Sequence, residues 1–156
     1  MSKRKKASDP SLKVIARNKR ARFDYELIER FEAGIALTGS EVKMLRAGKA
    51  TIAEAYVRIK NGEAWLIGAN IPEYPNASYN NHETDRPRKL LLHKAQLKKL
   101  HSATKEKGLT IVPLQLYLRG SRFKLEIGLG RGKKTHDKRQ SLKKKQASRD
   151  MARGKY

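Results

Sequence analysis

Basic charge is crowded into the two ends of this chain, and that segregation limits what can fold. Residues 1–20 carry a net +7 and residues 131–156 a net +9, out of a formal +22 over 156 residues. The intervening stretch, 21–130, carries only +6 and holds nearly all the large apolar and aromatic side chains. Like charges at this density repel in a compact state unless a polyanion neutralises them. Past Gly130 only Leu142, Ala147, Met151, Ala152 and Tyr156 are apolar, too few to offset an ordering cost of roughly 1–2 kcal/mol per residue. The pattern predicts a folded body over 21–130, a basic arm over 1–20 whose end packs on that body, and a tail over 131–156 that is disordered when free. From Lys133 to Arg153 the tail lacks Gly and Pro and is dense in helix formers, with Asp137 and Gln140 at the spacing of a capping-box variant. It is expected to become helical where a polyanion removes the repulsion.

The body alternates as half-buried strands do. Phe123, Leu125, Ile127 and Leu129 fall on one face of a strand over 122–130, and Val112, Leu114, Leu116 and Leu118 alternate before it, with Arg119-Gly120-Ser121 as the turn. Asn61-Gly62 signals a second hairpin between 56–60 and 63–67, with Lys60 facing Glu63. A long strand is expected from Phe23 to about Leu37, with Gly34 permitting a bend, and Leu90-Leu91-Leu92 suits a short buried strand. Thr38-x-x-Glu41 is a capping box opening a helix that Gly48 stops, and a second helix spans 94–107. These elements predict a mainly β fold: an oligonucleotide-binding-type antiparallel barrel, closed or partly open, with two or three short helices, a sandwich being the alternative. The Pro- and Asn-rich segment 70–88, with Tyr74 and Tyr79, reads either as an arm crossing the barrel surface or as a plain structural crossover.

Enzyme signatures fail on inspection. The chain has no Cys, which removes thiolate nucleophiles and cysteine metal sites. Gly128 to Thr135 departs from a phosphate-binding Walker loop at Ile127 and Lys134. Its glycines serve either close backbone approach to a phosphate or relief of crowding at a strand end. His82-Glu83-Thr84-Asp85-Arg86 lacks the second His of a zinc protease helix, and His82, His93, His101 and His136 show no ligand spacing. Glu26, Glu29 and Glu32 stand beside Arg22 and Arg30, so surface ion pairing is expected in place of paired-acid catalysis. No catalytic set, metal or cofactor is expected. No apolar run of about seven to fifteen residues follows Lys3-Arg4-Lys5-Lys6, and none approaches the roughly 20 of a membrane span, so a soluble, cytoplasmic protein without a membrane partner is expected. Basic arms around a barrel fit RNA better than DNA, because neither helix has a helix-turn-helix context.

Several blocks carry a resemblance. Asn18-Lys19-Arg20-Ala21-Arg22, Phe31-Glu32-Ala33-Gly34-Ile35-Ala36-Leu37, Gly39-Ser40-Glu41-Val42-Lys43 and Leu45-Arg46-Ala47-Gly48-Lys49-Ala50 resemble the SmpB family of bacterial SsrA-binding proteins. So do Gly68-Ala69-Asn70-Ile71, Arg88-Lys89-Leu90-Leu91-Leu92 and Gly132-Lys133-Lys134-Thr135-His136-Asp137-Lys138-Arg139. The resemblance implies a monomeric, non-enzymatic factor that binds the tRNA-like domain of transfer-messenger RNA and accompanies it to stalled ribosomes for trans-translation. By the same resemblance Asn18, Lys19, Arg20, Glu32, Leu91 and His93 match the RNA-facing positions, with Lys124, Lys133 and Lys134 adding phosphate contacts. Gly132 would be the pivot to the tail, with Asp137, Lys138 and Arg139 at the decoding centre, His136 stacking on a ribosomal base, and Lys143, Lys144 and Lys145 in the mRNA channel. A structural ribosomal protein with arms threaded through rRNA is the alternative that composition leaves open.

The charge distribution predicts salt-dependent RNA affinity. At roughly 0.7–0.9 per phosphate neutralised, several contacts give a log–log slope of magnitude about 3 to 6. A binding titration over a salt series measures it, and a slope near zero would sink the electrostatic account.

Overall fold

A computed structural model describes residues 12–76 and 81–133. Seven strands run in chain order: β1 (Leu12–Arg17), β2 (Tyr25–Ile35), β3 (Tyr56–Lys60), β4 (Glu63–Ile67), β5 (Arg88–Leu91), β6 (Thr110–Arg119) and β7 (Arg122–Gly132). Three helices join them: α1 (Ala21–Asp24), α2 (Gly39–Arg46) and α3 (Lys94–Glu106). The strands form one antiparallel sheet in the order β1-β6-β7-β2-β5-β4-β3. It curls so that the edge strand β3 packs back against β6, yet no ladder joins β3 to β1 among the described residues. Of the closed and partly open barrels that the sequence allows, this is the open one. Leu45, Ile52, Leu66, Leu90, Leu100, Ile111, Leu116, Leu125 and Ile127 fill its interior. No helix among the described residues is long and apolar enough to cross a membrane.

Two of the three long strands, β2 and β6, contain a bulge, and each bulge corrects a predicted parity. In β6 the register slips between Pro113 and Gln115. Ile111 and Pro113 point inward before the slip and Leu116 after it, so Val112, Leu114, Leu116 and Leu118 do not share a face. In β2 the slip lies between Leu27 and Glu29, so Tyr25 and Leu27 face away from the side that Phe31, Ala33 and Ile35 occupy. One unpaired residue in a strand of period two reverses every side chain beyond it.

Other departures have equally local causes. Phe23 starts no strand: the amides of Phe23 and Asp24 bond back to the Arg20 carbonyl at 3.0 and 2.9 Å, closing the turn of α1. The Arg20 guanidinium sits 5.0 Å above the Phe23 ring and 3.5 Å from the Asp24 carboxylate, which favours that turn. β1 falls within the predicted basic arm, where Lys13 and Arg17 obscure a strand that turns Ala16 into the core. β7 runs on to Gly132, two residues past the expected end of the body. The glycines at 128 and 130 relieve crowding: a Cβ on Gly128 would stand 3.1 Å from Leu114 and Leu27, and one on Gly130 would stand 3.0 Å from the Glu26 carbonyl. The Asn61-Gly62 hairpin forms as expected, with Lys60 opposite Glu63 and positive φ at both turn residues.

The capping box at Thr38 is present, and it carries more than a helix start. Glu41 accepts from the Thr38 amide at 2.9 Å and is itself fully buried. Its carboxylate binds Arg86 at 2.7 and 2.8 Å and the fully buried Arg88 at 2.8 Å. Arg88 also donates to the carbonyls of Ala69 at 3.1 Å and Thr84 at 3.0 Å, which ties segment 81–88 to the start of 70–76. His82 completes the anchorage, buried against the carbonyls of Ile71 at 2.8 Å and Pro72 at 3.0 Å and the Ser40 hydroxyl at 2.7 Å. The described parts of the Pro-rich segment are thus a structural crossover, while Tyr79 lies outside the described residues.

Burial by itself raises the Glu41 pKa, but the bonds from Arg86 and Thr38 and the charge of Arg88 outweigh it and hold the carboxyl below its ordinary value of 4.5. A carboxyl depressed on folding contributes stability above its unfolded-state pKa and loses it as pH falls through the folded value. Glu41→Gln should cost about 3–5 kcal/mol at pH 7, since it strands a buried guanidinium. It should also flatten the loss of stability below pH 4.5. Denaturant unfolding of both proteins from neutral to acid pH checks both; an unchanged acid slope would contradict the linkage.

Candidate nucleic-acid interface

Residues directly opposed on neighbouring strands share a face of the sheet, so register decides which outward side chains meet. Glu32 lies opposite Glu126 and Gly34 opposite Lys124 on β7. On β6, Tyr117 lies opposite Lys124 and Gln115 opposite Glu126. Adjacent carboxylates repel, and each is compensated separately. Glu32 accepts from the Tyr117 hydroxyl and pairs with Arg119 at 3.2 Å. Glu126 accepts from Gln115 at 3.3 Å and lies 3.8 Å from Arg30. Burial and the Glu32 carboxylate push the Tyr117 phenol far above its ordinary range, although Arg119 opposes the shift, so it stays a donor.

The predicted pairing of Glu26, Glu29 and Glu32 with Arg22 and Arg30 is replaced by partners from other elements, β7, α3 and β6 in turn. Glu26 pairs with Arg131 at 3.6 Å, Glu29 with Lys99 at 2.8 Å and Glu32 with Arg119. Sequence neighbours in a strand point to opposite faces, whereas side chains that other elements bring to the same face come within reach.

Beside Glu32 opens a cleft of about 860 Å³ whose lining includes Glu32, Gly34, Leu91, His93, Arg122 and Lys124. Three segments supply it. β2 carries Glu32 away from the core, because Phe31 and Ala33 take the buried parity. β5 turns Leu90 inward and leaves Leu91 53% exposed, correcting the fully buried strand expected there. Gly34 is explained by Leu91: a Cβ on it would stand 3.2 Å from the Leu91 Cβ, so its value is close approach, not a bend. His93 caps α3, its amide donating to Gln96 at 3.0 Å while its ring stays exposed. Lys124 reaches the cleft from β7.

A second cleft of about 300 Å³ is lined by Arg17, Asn18, Lys19, Arg22, Arg30 and Glu126, among others. The Glu32–Glu126 pair divides the two clefts, so one acidic row stands between two basic walls. Asn18 is held firmly: its side-chain amide donates to the Pro113 carbonyl at 2.9 Å and its backbone amide to Leu114 at 2.9 Å, seating this segment on the β6 bulge. Lys19 is exposed, and Arg20 is exposed above Phe23, outside both clefts. Lys133 bonds through its backbone amide to the Asp24 carbonyl at 2.9 Å and through Nζ to the Arg22 carbonyl at 2.8 Å. Gly132 ends β7 opposite Tyr25, with nothing near its missing Cβ. The tail thus leaves the body beside α1. Lys134, His136, Asp137, Lys138, Arg139, Lys143, Lys144, Lys145 and the expected tail helix lie outside the described residues.

Tyr117, Arg119, Glu126 and Arg17 were not singled out from sequence. Gln115, Tyr117 and Arg119 keep one parity, so the signal existed; the β6 bulge disguised which face it marked. Among the described residues no three His, Asp or Glu side chains are grouped to hold a metal ion.

The chain as a whole is similar to known proteins. The family model described as SmpB protein matches residues 15–155. An SsrA-binding protein of Oleidesulfovibrio alaskensis is 53% identical over 150 residues, 96% of each chain. One of Bifidobacterium adolescentis is 53% identical over 148 residues, 94% of this chain and 93% of that one. A solved chain described as "tmRNA-SmpB: a journey to the center of the bacterial ribosome" superposes with a TM-score of 0.64 at 45% identity, covering 81% of this chain and 92% of that one.

Proposed function

This chain belongs to the SmpB protein family, and we propose that it binds the tRNA-like domain of transfer-messenger RNA and delivers it to stalled ribosomes for trans-translation. It works as a cytoplasmic, monomeric RNA-binding adaptor and not as an enzyme. The observation that carries the reading is convergence: Glu32, Leu91 with His93, and Lys124, from three segments far apart in sequence, line one cleft. The chemistry suits folded RNA. Lys124 and Arg122 offer charge to phosphates, Leu91 offers an apolar surface to a base or ribose, and Glu32 accepts from a guanine edge or a 2′-hydroxyl. Arg17, Lys19 and Arg22 around the second cleft extend the phosphate-binding wall, with Arg20 beside it.

An acid at an RNA interface costs electrostatic attraction, so it must act as an acceptor to be useful. Tyr117 and Arg119 hold the Glu32 carboxylate in place, which lowers the entropy lost when RNA engages it. The basic tail beyond Lys133 is the ribosome-directed part: Asp137, Lys138 and Arg139 sit at the decoding centre, and Lys143, Lys144 and Lys145 meet phosphates of the empty mRNA channel.

Glu32→Ala should weaken binding to the tRNA-like RNA by about 1.5–3 kcal/mol, the worth of a charged hydrogen bond, while leaving the fold intact because the side chain points away from the core. Binding and thermal unfolding are measured together; a variant that melts early but binds normally when folded makes Glu32 structural. Deleting residues 134–156 should leave RNA binding reduced only by the lost phosphate contacts yet abolish tagging in a reconstituted stalled-ribosome reaction. A tail-less protein that still rescues ribosomes would make the tail a dispensable arm.

A further inference from the structure

The outward face of β3, β4 and β5 carries a second arrangement that the Glu32 cleft does not use. β3 turns Val57 inward, so Tyr56, Arg58 and Lys60 all point out and are exposed. β4 buries Ala64 and Leu66 and turns Glu63, Trp65 and Ile67 outward. Register then places Tyr56 opposite Ile67, Arg58 opposite Trp65 and Lys60 opposite Glu63. On its other side Trp65 lies opposite Lys89 of β5. An indole therefore stands between a guanidinium and an ammonium, on strands about 4.8 Å apart. Lys89 is held by Glu63 at 2.8 Å. Neither Arg58 nor the indole N–H has a side-chain or backbone partner among the described residues. Tyr56, 46% exposed, prolongs the aromatic surface along the edge strand.

We propose that this face binds single-stranded RNA, with one unpaired base stacked on Trp65 and the phosphates on either side of it met by Arg58 and Lys89. An aromatic ring that tolerates any base, flanked by cations that follow the backbone, is the chemistry by which proteins hold single strands without sequence preference. A protein partner fits less well, since three cations (Arg58, Lys60 and Lys89) surround a small apolar centre and, on these strands, only Glu63 opposes them. Keeping the edge strand from pairing with another chain would explain Arg58 and Lys60, but not a tryptophan between two cations. The proposal rests on different residues from the cleft and stands or falls separately from it.

Trp65 is the one tryptophan of the chain, so its fluorescence reports this face alone. The full-length protein is titrated with an oligoadenylate of about eight nucleotides, within the usual site size of such surfaces. Saturable quenching is expected. It should persist in Glu32→Ala, and its midpoint should shift to higher RNA concentration in an Arg58→Ala, Lys89→Ala double variant whose far-ultraviolet spectrum matches the parent. Trp65→Ala should weaken binding of a labelled oligoadenylate by about five- to a hundredfold, the range of one base–aromatic stack. Trp65→Phe should restore most of it. The tRNA-like RNA and intact ribosomes are then added separately: quenching by either identifies which RNA supplies the unpaired base. Absence of quenching with all three RNAs, or quenching that the double variant leaves unchanged, overturns the proposal.

Discussion

The buried bond between Glu41 and Arg88 governs how this molecule presents its surface. Leu90, Leu91 and Leu92 are apolar on both parities, so hydrophobicity does not decide which of them faces the core. Arg88 decides it. Its guanidinium can be buried only where Glu41 and the carbonyls of Ala69 and Thr84 receive it, and a one-residue slip of β5 would bury Lys89 with no such partners. With Arg88 inward, Leu90 follows inward, and Lys89 and Leu91 must point out. Both outward faces discussed above descend from that parity. An apolar pair of equal volume would be as stabilising or more so; what the ion pair supplies is a single permitted register.

The same interaction joins distant parts of the chain. Glu41 is on α2, Arg86 and Arg88 end the long crossover, and Arg86 also reaches the Ala36 carbonyl at 3.4 Å. The start of α2, the end of β2 and the entry to β5 are thereby held at one point. His93 and Leu91 follow directly after β5 and Glu32 lies just before the end of β2, so the cleft between them is positioned by a contact that takes no part in it. Precision at the site comes from the rigid elements behind it.

Charge is distributed on the same logic. The described body is basic, yet one outward face carries Glu32 beside Glu126, each tied down by its own donors. In the proposed complex, attraction to a polyanion would come from Arg17, Lys19, Arg22, Arg122 and Lys124 at the margins and from the two basic ends, and would be long-ranged and indifferent to sequence. Selection needs groups that reward one geometry, and a fixed acceptor between two basic walls is such a group, since it repels a phosphate placed wrongly and accepts from a base edge or hydroxyl placed correctly.

Much of this was legible in the residues alone. Alternation identified the β6–β7 hairpin, Asn61-Gly62 the β3–β4 hairpin and Thr38-x-x-Glu41 the start of α2, because each rests on interactions within a few residues. Charge segregation placed the body at 21–130, but β1 lies in the basic arm and β7 runs on to Gly132, because a strand keeps Lys13, Arg17 and Arg131 exposed while its other residues join the sheet. The residue blocks from Asn18 to Arg139 indicated the family, and the fold brings Glu32, Leu91, His93 and Lys124, which that resemblance marked, around one cleft. What sequence did not determine was whatever depended on a partner far along the chain. Unpaired residues at the β2 and β6 bulges reversed parities that looked uninterrupted. Glu41, read as a cap, proved to be the counter-ion of two arginines from the crossover, and Glu32 found Tyr117 and Arg119 in place of its sequence neighbours. Periodicity records which side chains can share a face; which face is buried, and who stands opposite, is settled only when strand register places groups from remote segments within hydrogen-bonding distance.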